Sequence, residues 1–256
     1  MTLGPDMTRE FDVEVTTRPD LTDAAEYARR KIGGLGRFAH RPVLRARVKL
    51  TELADPAVSR PVVAQANLDV SGRLVRAQAY GATATEAIDL LEDRLRTGLE
   101  RAAGRRVPRR KRMNPVAART AGTGLPVEER RIVRHKSFSA APCSVDDAAA
   151  EMDLLDYDFH LFTELGTSMA SVLYRGGPTG FRLAQVAPCP ADQLAPFELP
   201  LTISSQPPPC ITVAQAVERL GVLGLPFLFF IDAAQGRASV LYQRYDGHYG
   251  LITPSG

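Results

Sequence analysis

"ASVLY" occupies Ala170–Tyr174 and recurs unchanged at Ala238–Tyr242, 68 positions later. Its β-branched, aliphatic and aromatic residues suit a strand, and the residues around it keep the same offset. Val145 meets Val213, Ala148 meets Ala216, Leu155 meets Leu223, Phe159 meets Phe227, Phe162 meets Phe230 and Leu183 meets Leu251. With one gap, "APC" at 141–143 falls against "PPC" at 208–210, which sets Cys143 opposite Cys210. A register that persists so far beyond a pentapeptide is the signature of a duplicated module.

Each copy reads as strand, short helix, strand, strand. The first runs through "RHKSFS", "SVDDAAAEMDLL", "FHLFTE" and "ASVLYR"; the second through "LTISS", "TVAQAVERLGVLG", "FLFFID" and "ASVLYQRYDGHYGLI". The copies are placed at residues 131–187 and 201–256, with 188–200 as a linker. A unit of about 55 residues buries too little of its surface to be robust alone. Two such units on one chain are therefore expected to pair as an internal pseudo-dimer. Phe138, Phe159, Phe162, Val172 and Tyr174 of the first copy and Phe227, Phe230, Val240, Tyr242 and Tyr249 of the second are its expected apolar contacts.

Residues 1–105 form a separate α+β unit. "EFDVEVTTR" alternates Phe11, Val13 and Val15 with polar residues, the period of a half-buried strand. A helix follows in "LTDAAEYARRKIGGL", with Thr22 or Asp23 as its cap, Ala25, Ala28, Ile32 and Leu35 as its buried stripe, and Gly33, Gly34 and Gly36 as its stop. "VLRARVKLT" places Leu44, Ala46, Val48 and Leu50 on one face and Arg45, Arg47 and Lys49 on the other. "VVAQANLDV" and "RLVRAQAYG" form a hairpin around Ser71-Gly72. "TATEAIDLLEDRLRTGLERAAG" closes the unit with a stripe of Ile88, Leu91, Leu95 and Leu99, capped by Thr83 or Thr85. The order β-α-β-β-β-α predicts a four-stranded sheet with two helices on one face.

The net charge of +3 conceals an asymmetry. Residues 1–120 carry 23 Lys and Arg against 15 Asp and Glu, and residues 121–256 carry 9 against 14. This division points to a polyanion as partner of the first part and to protein as partner of the second. Arg29, Arg30, Lys31, Arg37 and Arg41 lie on or just after the first helix, and Arg94, Arg96 and Arg101 on the second. "RRVPRRKR" then adds Arg105 at the end of the 1–105 unit and Arg106, Arg109, Arg110, Lys111 and Arg112 in the Pro-containing linker 106–130. The planar guanidinium fork suits phosphate, so these fourteen cations are the candidate RNA contacts. Arg45, Arg47 and Lys49 fit a solvated sheet face equally well.

The element order and the string "ATEAIDLLEDRLRTGL" resemble the sigma-54 modulation or S30EA ribosomal protein family of ribosome-hibernation factors, over roughly residues 9–105. "RHKSF…APCSVDDAAAEMDLLDYDFHLF" and "ASVLYQRYDGHYGLI" resemble the C-terminal domain of its long forms, and the tandem arrangement is similar to the actinobacterial type. The resemblance implies a basic domain in the decoding channel of the small ribosomal subunit, where it contacts 16S rRNA and blocks mRNA and tRNA. It also implies a C-terminal domain that normally homodimerises and pairs ribosomes. Here the family features are divided: the first copy keeps Arg134, Lys136, Phe138 and Asp158-Phe159, and the second keeps Tyr245–Ile252. That division implies that the copies complete one another, so that single 70S ribosomes are silenced in stress or dormancy rather than joined as 100S pairs. Pairing with a second chain is the alternative.

No enzyme site is legible. His40, His135, His160 and His248 have no helical spacing to each other and no cysteine partners, so no metal is expected. Asp153, Asp156 and Asp158 lack calcium-loop spacing and read as a solvated helix end. "GGLG" and "RGGPTG" lack the Lys-Ser/Thr of a phosphate loop. Cys143 and Cys210 read as small buried residues, and three cysteines without a CxxC fit a reducing compartment. No cofactor or small-molecule substrate is implied, no apolar run is long enough to cross a membrane, and the start lacks a signal-peptide pattern. The reading is a cytoplasmic, non-catalytic ribosome-binding factor. The alternative is a general RNA-binding or transcription-associated regulator in which the duplicated module is a protein-interaction platform.

Overall fold

The structure is a computed structural model that describes residues 11–17, 21–53, 58–104, 125–138 and 141–254. The chain divides into two compact units, one comprising residues 1–109 with the short segment 153–157, the other 110–152 and 158–256. No helix among the described residues is long and apolar enough to cross a membrane.

The first unit has the expected order: β1 (Val13–Thr16), α1 (Thr22–Gly33), β2 (Val43–Glu52), β3 (Val62–Val70), β4 (Arg73–Gly81) and α2 (Ala84–Ala102). The strands lie in the order β1-β2-β3-β4. β1 runs parallel to β2 because α1 provides the crossover between them, and the remaining pairs are antiparallel. Ser71 and Gly72 turn the hairpin with φ of 51° and 87°, the left-handed pair that a two-residue primed turn demands. Ala28 and Ile32 of α1 and Ile88, Leu91, Leu95 and Leu99 of α2 are buried against Ala46, Val48, Leu50, Ala64, Ala66, Leu68, Val75 and Ala77 of the sheet. The Thr83 hydroxyl caps α2 by accepting from the Glu86 N–H at 3.2 Å.

Two local expectations, the cap of α1 and the burial of Leu44, need correction. α1 is preceded by Leu21 and has no side-chain cap, so neither Thr22 nor Asp23 serves as one. The first helix does stop at the glycines, ending at Gly33 with Gly34 as its C-cap, and the chain tightens there into a 3₁₀ turn over Gly34–Phe38 that buries Leu35 and sets Arg37 and Phe38 beside the helices. Leu44 is 67% exposed, because a bulge between Val43 and Arg45 moves it out of the inward alternation kept by Ala46, Val48 and Leu50.

In the second unit the first copy supplies β5 (Ile132–Phe138), β6 (Pro142–Cys143), α3 (Val145–Leu154), β7 (Phe159–Glu164), β8 (Ala170–Arg175) and β9 (Phe181–Gln185). The second supplies β10 (Thr202–Ile203), β11 (Cys210–Ile211), α4 (Val213–Leu223), β12 (Phe227–Asp232), β13 (Arg237–Gln243) and β14 (Tyr249–Pro254). Each copy thus has more strands than the sequence suggests. "GPTGFRLAQV" contains β9, and "ASVLYQRYDGHYGLI" folds back on itself as β13 and β14.

The two five-stranded sheets are β10-β9-β8-β7-β6 and β11-β12-β13-β14-β5. The opening strand of each copy therefore lies in the sheet of the other. β5 runs parallel to β14 with His135 opposite Leu251, and β10 runs parallel to β9 with Ile203 opposite Leu183. These two pairings keep the same offset of 68 positions, so the exchange itself is repeated.

The short strands correct the alignment of the cysteines. Cys143 is opposite Glu164, Cys210 opposite Ile231 and Ile211 opposite Asp232. Cys143 therefore corresponds to Ile211, and the duplication runs without a gap. Cys210 is exposed and Cys143 partly exposed, so neither is the buried filler expected, while Cys189 is buried.

The expected linker at 188–200 is packed onto the first copy, with Leu194, Ala195 and Leu199 buried. Buried Glu164 accepts from the Ala195 N–H through Oε1 at 2.9 Å, and from the Thr167 N–H and hydroxyl through Oε2 at 2.7 and 2.9 Å. Asp146 accepts from the N–H groups of Glu198 and Leu199 at 2.8 and 3.0 Å. Asp153 and Asp158, expected in solvent, are buried, and Asp156 takes a left-handed φ of 53°.

Burial pushes the Glu164 carboxyl up, but the N–H donors of Ala195, Thr167 and Gly166 outweigh it and hold the group below the usual carboxylate range. Because its folded-state value is depressed, its contribution to stability is present above the unfolded value near pH 4 and is lost as pH falls through the folded value. Glu164→Gln is expected to destabilise the second unit by about 1–3 kcal/mol at neutral pH and to flatten the acid limb of its stability profile. Urea titrations at stepped pH check this, and an unchanged acid limb would contradict it.

Candidate functional site

Two arrangements carry the functional candidates, a basic seam in the first unit and the apolar contact between the copies in the second. The seam lies where α1 and the 3₁₀ turn run beside α2. Tyr27 donates its hydroxyl to Asp89 at 2.7 Å, and Lys31 reaches Asp89 and Glu92 at 3.1 and 3.0 Å. Hydrogen bonds from Lys31 to Glu92 and then Asp89 raise its pKa well above the ordinary lysine value. Lys31 thus ties one helix to the other, and carboxylates occupy its ammonium. Farther along, the Arg37 guanidinium carbon lies 4.9 Å and that of Arg96 5.9 Å from the centre of the Phe38 ring. Arg30 sits over the Tyr27 ring at 5.4 Å.

The other candidates are placed as follows. Arg29 meets Glu26 at 3.3 Å, an exposed pair of small worth. Arg41 is exposed just beyond the 3₁₀ turn. Half-buried Arg94 donates to the Gln78 backbone carbonyl, and Arg101 stands in the last turn of α2. Arg96 also meets Asp93 at 2.7 Å. Arg105, Arg106, Arg109, Arg110, Lys111 and Arg112 lie outside the described residues. On the open sheet face, Arg47 donates to Glu14 at 2.9 Å with Arg45 at 4.0 Å, and the Arg47 hydrogen bond depresses the Glu14 pKa. Those arginines are partly neutralised within the sheet, and Lys49 is exposed.

In the second unit Phe159 stacks on Phe227 with centroids 4.6 Å apart, Tyr242 approaches Phe159 at 5.8 Å, and Tyr174 meets Phe227 edge-on at 5.4 Å. Val172 and Val240 are fully buried in the same cluster, and Phe138 packs against it. Phe162, Phe230 and Tyr249 do not join it. Phe230 and Tyr249 pack with Ala216 and Leu220 of α4 inside the second copy, and Phe162 occupies the position in β7 that Phe230 holds in β12. The strand period explains this: Phe159 and Leu161 point to one face, His160 and Phe162 to the other. The contacts missed in the sequence are Leu161 and Phe229, two residues on from Phe159 and Phe227 and both in the shared cluster. Alternation from the expected aromatics would have found them.

Among the described residues no group of three or more His, Cys, Asp or Glu is arranged to hold a metal ion. Burial, reinforced by the carboxylates of Asp147, Glu151 and Glu164, pushes the Cys143 thiol up to about 11, which keeps it protonated and a poor nucleophile. His160 meets Glu151 at 3.4 Å, and His248 accepts from the Arg131 N–H at 3.3 Å.

Residues 13–107 match the model of the sigma 54 modulation protein / S30EA ribosomal protein family, and residues 127–183 and 204–251 each match the model of its C terminus. The chain belongs to the sigma 54 modulation/S30EA ribosomal protein family. It is 41% identical over 222 residues to a dormancy associated translation inhibitor of Mycobacterium tuberculosis, covering 82% of this chain and 77% of that protein. It is 28% identical over 163 residues to a ribosome hibernation promotion factor of Deinococcus radiodurans, covering 59% of this chain and 84% of that one. Among solved structures, the N-terminal domain of Thermus thermophilus Protein Y aligns at 27% identity over 36% of this chain and 99% of its own, with a TM-score of 0.31. The relatives' names describe regulators of translation.

The stacked aromatics between the copies give a direct test. Phe159→Ala removes the ring that meets both Phe227 and Tyr242 and is expected to cost about 2–4 kcal/mol of second-unit stability. Denaturant titration reads the effect, and an unchanged midpoint would show that this stacking contributes nothing to the pairing.

Proposed function

We propose that the chain is a ribosome hibernation factor that binds 16S rRNA in the decoding channel of the small subunit, excludes mRNA and tRNA, and holds single 70S ribosomes inactive. What carries this reading is similarity over 82% of the chain to a protein named as a translation inhibitor. The geometry supports its parts. Arg30, Arg37 and Arg96 form a cationic strip along the helix seam, suited to successive phosphates of a folded RNA and indifferent to base sequence. The second unit already places each copy's opening strand in the sheet of the other. The exchange closes inside one chain, which favours silencing ribosomes singly over joining them.

Density-gradient sedimentation of purified ribosomes with the protein tests this. The protein is expected in the single-ribosome peak without a paired-ribosome peak, and tRNA added in excess should displace it. A paired peak would overturn the single-ribosome reading. Protein left at the top of the gradient would favour a general RNA-binding or transcription-associated regulator.

A further inference from the structure

Two guanidiniums on one aromatic ring is an uncommon arrangement on a surface, because like charges at short range repel unless something offsets the repulsion. In this chain Arg37 arrives from the 3₁₀ turn and Arg96 from α2, and both lie within cation–π reach of Phe38. The ring is partly buried and packs against the core of the first unit. It is therefore a fixed platform, whereas the arginine stems are long and lose considerable rotamer freedom when held. Asp93 holds Arg96 at 2.7 Å but takes only part of its five-donor fork. One carboxylate against two guanidiniums leaves a positive excess, with donors free to face solvent.

We propose that Phe38 is a positioning residue that holds Arg37 and Arg96 as a paired clamp for RNA backbone phosphate. The ring offsets the mutual repulsion of the two cations and limits their rotamers before binding, so less order is lost when phosphate arrives. The clamp lies one step along the seam from Lys31, whose ammonium is already committed to Asp89 and Glu92. The seam is thus divided into a structural tie and a phosphate site. This proposal rests on the ribosome-binding reading above and specifies which part of the seam does the binding.

The test uses the full chain and purified ribosomes, with affinity measured across a series of salt concentrations. Each phosphate contact contributes roughly 0.7 to 0.9 to the slope of log affinity against log salt. Phe38→Leu keeps an apolar side chain against the core and removes the ring face; thermal melting serves as its folding control. The expected result is a slope shallower by about 1.4 to 1.8 and affinity near 0.1 M salt roughly 30-fold weaker, taking two phosphates as lost. Phe38→Tyr should restore both. Phe38→Leu should add nothing in a chain already carrying Arg37→Ala and Arg96→Ala. A wild-type slope in Phe38→Leu, or a further loss in that double variant, overturns the clamp while the ribosome reading stands. Absence of any salt-dependent ribosome binding by the wild-type chain overturns both.

Discussion

Everything in the second unit depends on one set of backbone hydrogen bonds, those between β5 of the first copy and β14 of the second, mirrored by the pairing of β10 with β9. Each copy lends its opening strand to the other's sheet, so neither can complete its own sheet alone. The aromatic stack of Phe159 on Phe227, flanked by Tyr174 and Tyr242, fills the space the exchange creates. Gly250 shows how closely the parts fit. A Cβ there would collide with the ring end of Tyr242, so a larger residue would require that ring to move. Small modules usually obtain a sufficient core from a partner, and here the partner is a continuation of the same chain.

The first unit shows a different economy, in which carboxylates sort the cations. Lys31 is bound by Asp89 and Glu92, and Arg47 by Glu14, so these charges hold helix to helix and strand to strand. Arg30 and Arg37 instead lie over aromatic rings, and Arg96 combines a place over the Phe38 ring with its pair to Asp93. A ring offsets a cation's charge less completely than a carboxylate does and leaves its donors available. The same residue types in the same seam therefore divide into those that build the surface and those that present charge on it.

How much of this was legible in the sequence follows the physical range of each signal. Strict periodicity was readable: β3, β4, the Ser71-Gly72 turn and the α2 stripe lie where the pattern sets them, and the 68-residue offset fixes the repeat. What failed was what depends on partners distant in sequence. The exchange of opening strands leaves no local trace, since β5 looks the same whichever sheet receives it. Leu44 alternates correctly in the sequence but is carried outward by a bulge. Cys143 and Cys210 align by identity yet not by strand register. The stretch 188–200 reads as a linker between the copies, although Glu164 and Asp146 pin it down. Phe38, a single aromatic next to a glycine run, has no period to mark it, and its place beside Arg96 depends on α2 being brought to it.

One chain satisfies by itself the pairing its two copies require. Sedimentation equilibrium of the free protein across the micromolar range tests this most directly. A single species at the monomer mass of 27.8 kDa, with no dependence on concentration, is the predicted result. A species of twice that mass that dissociates on dilution would contradict it, and would mean that the opening strands are exchanged between chains rather than within one.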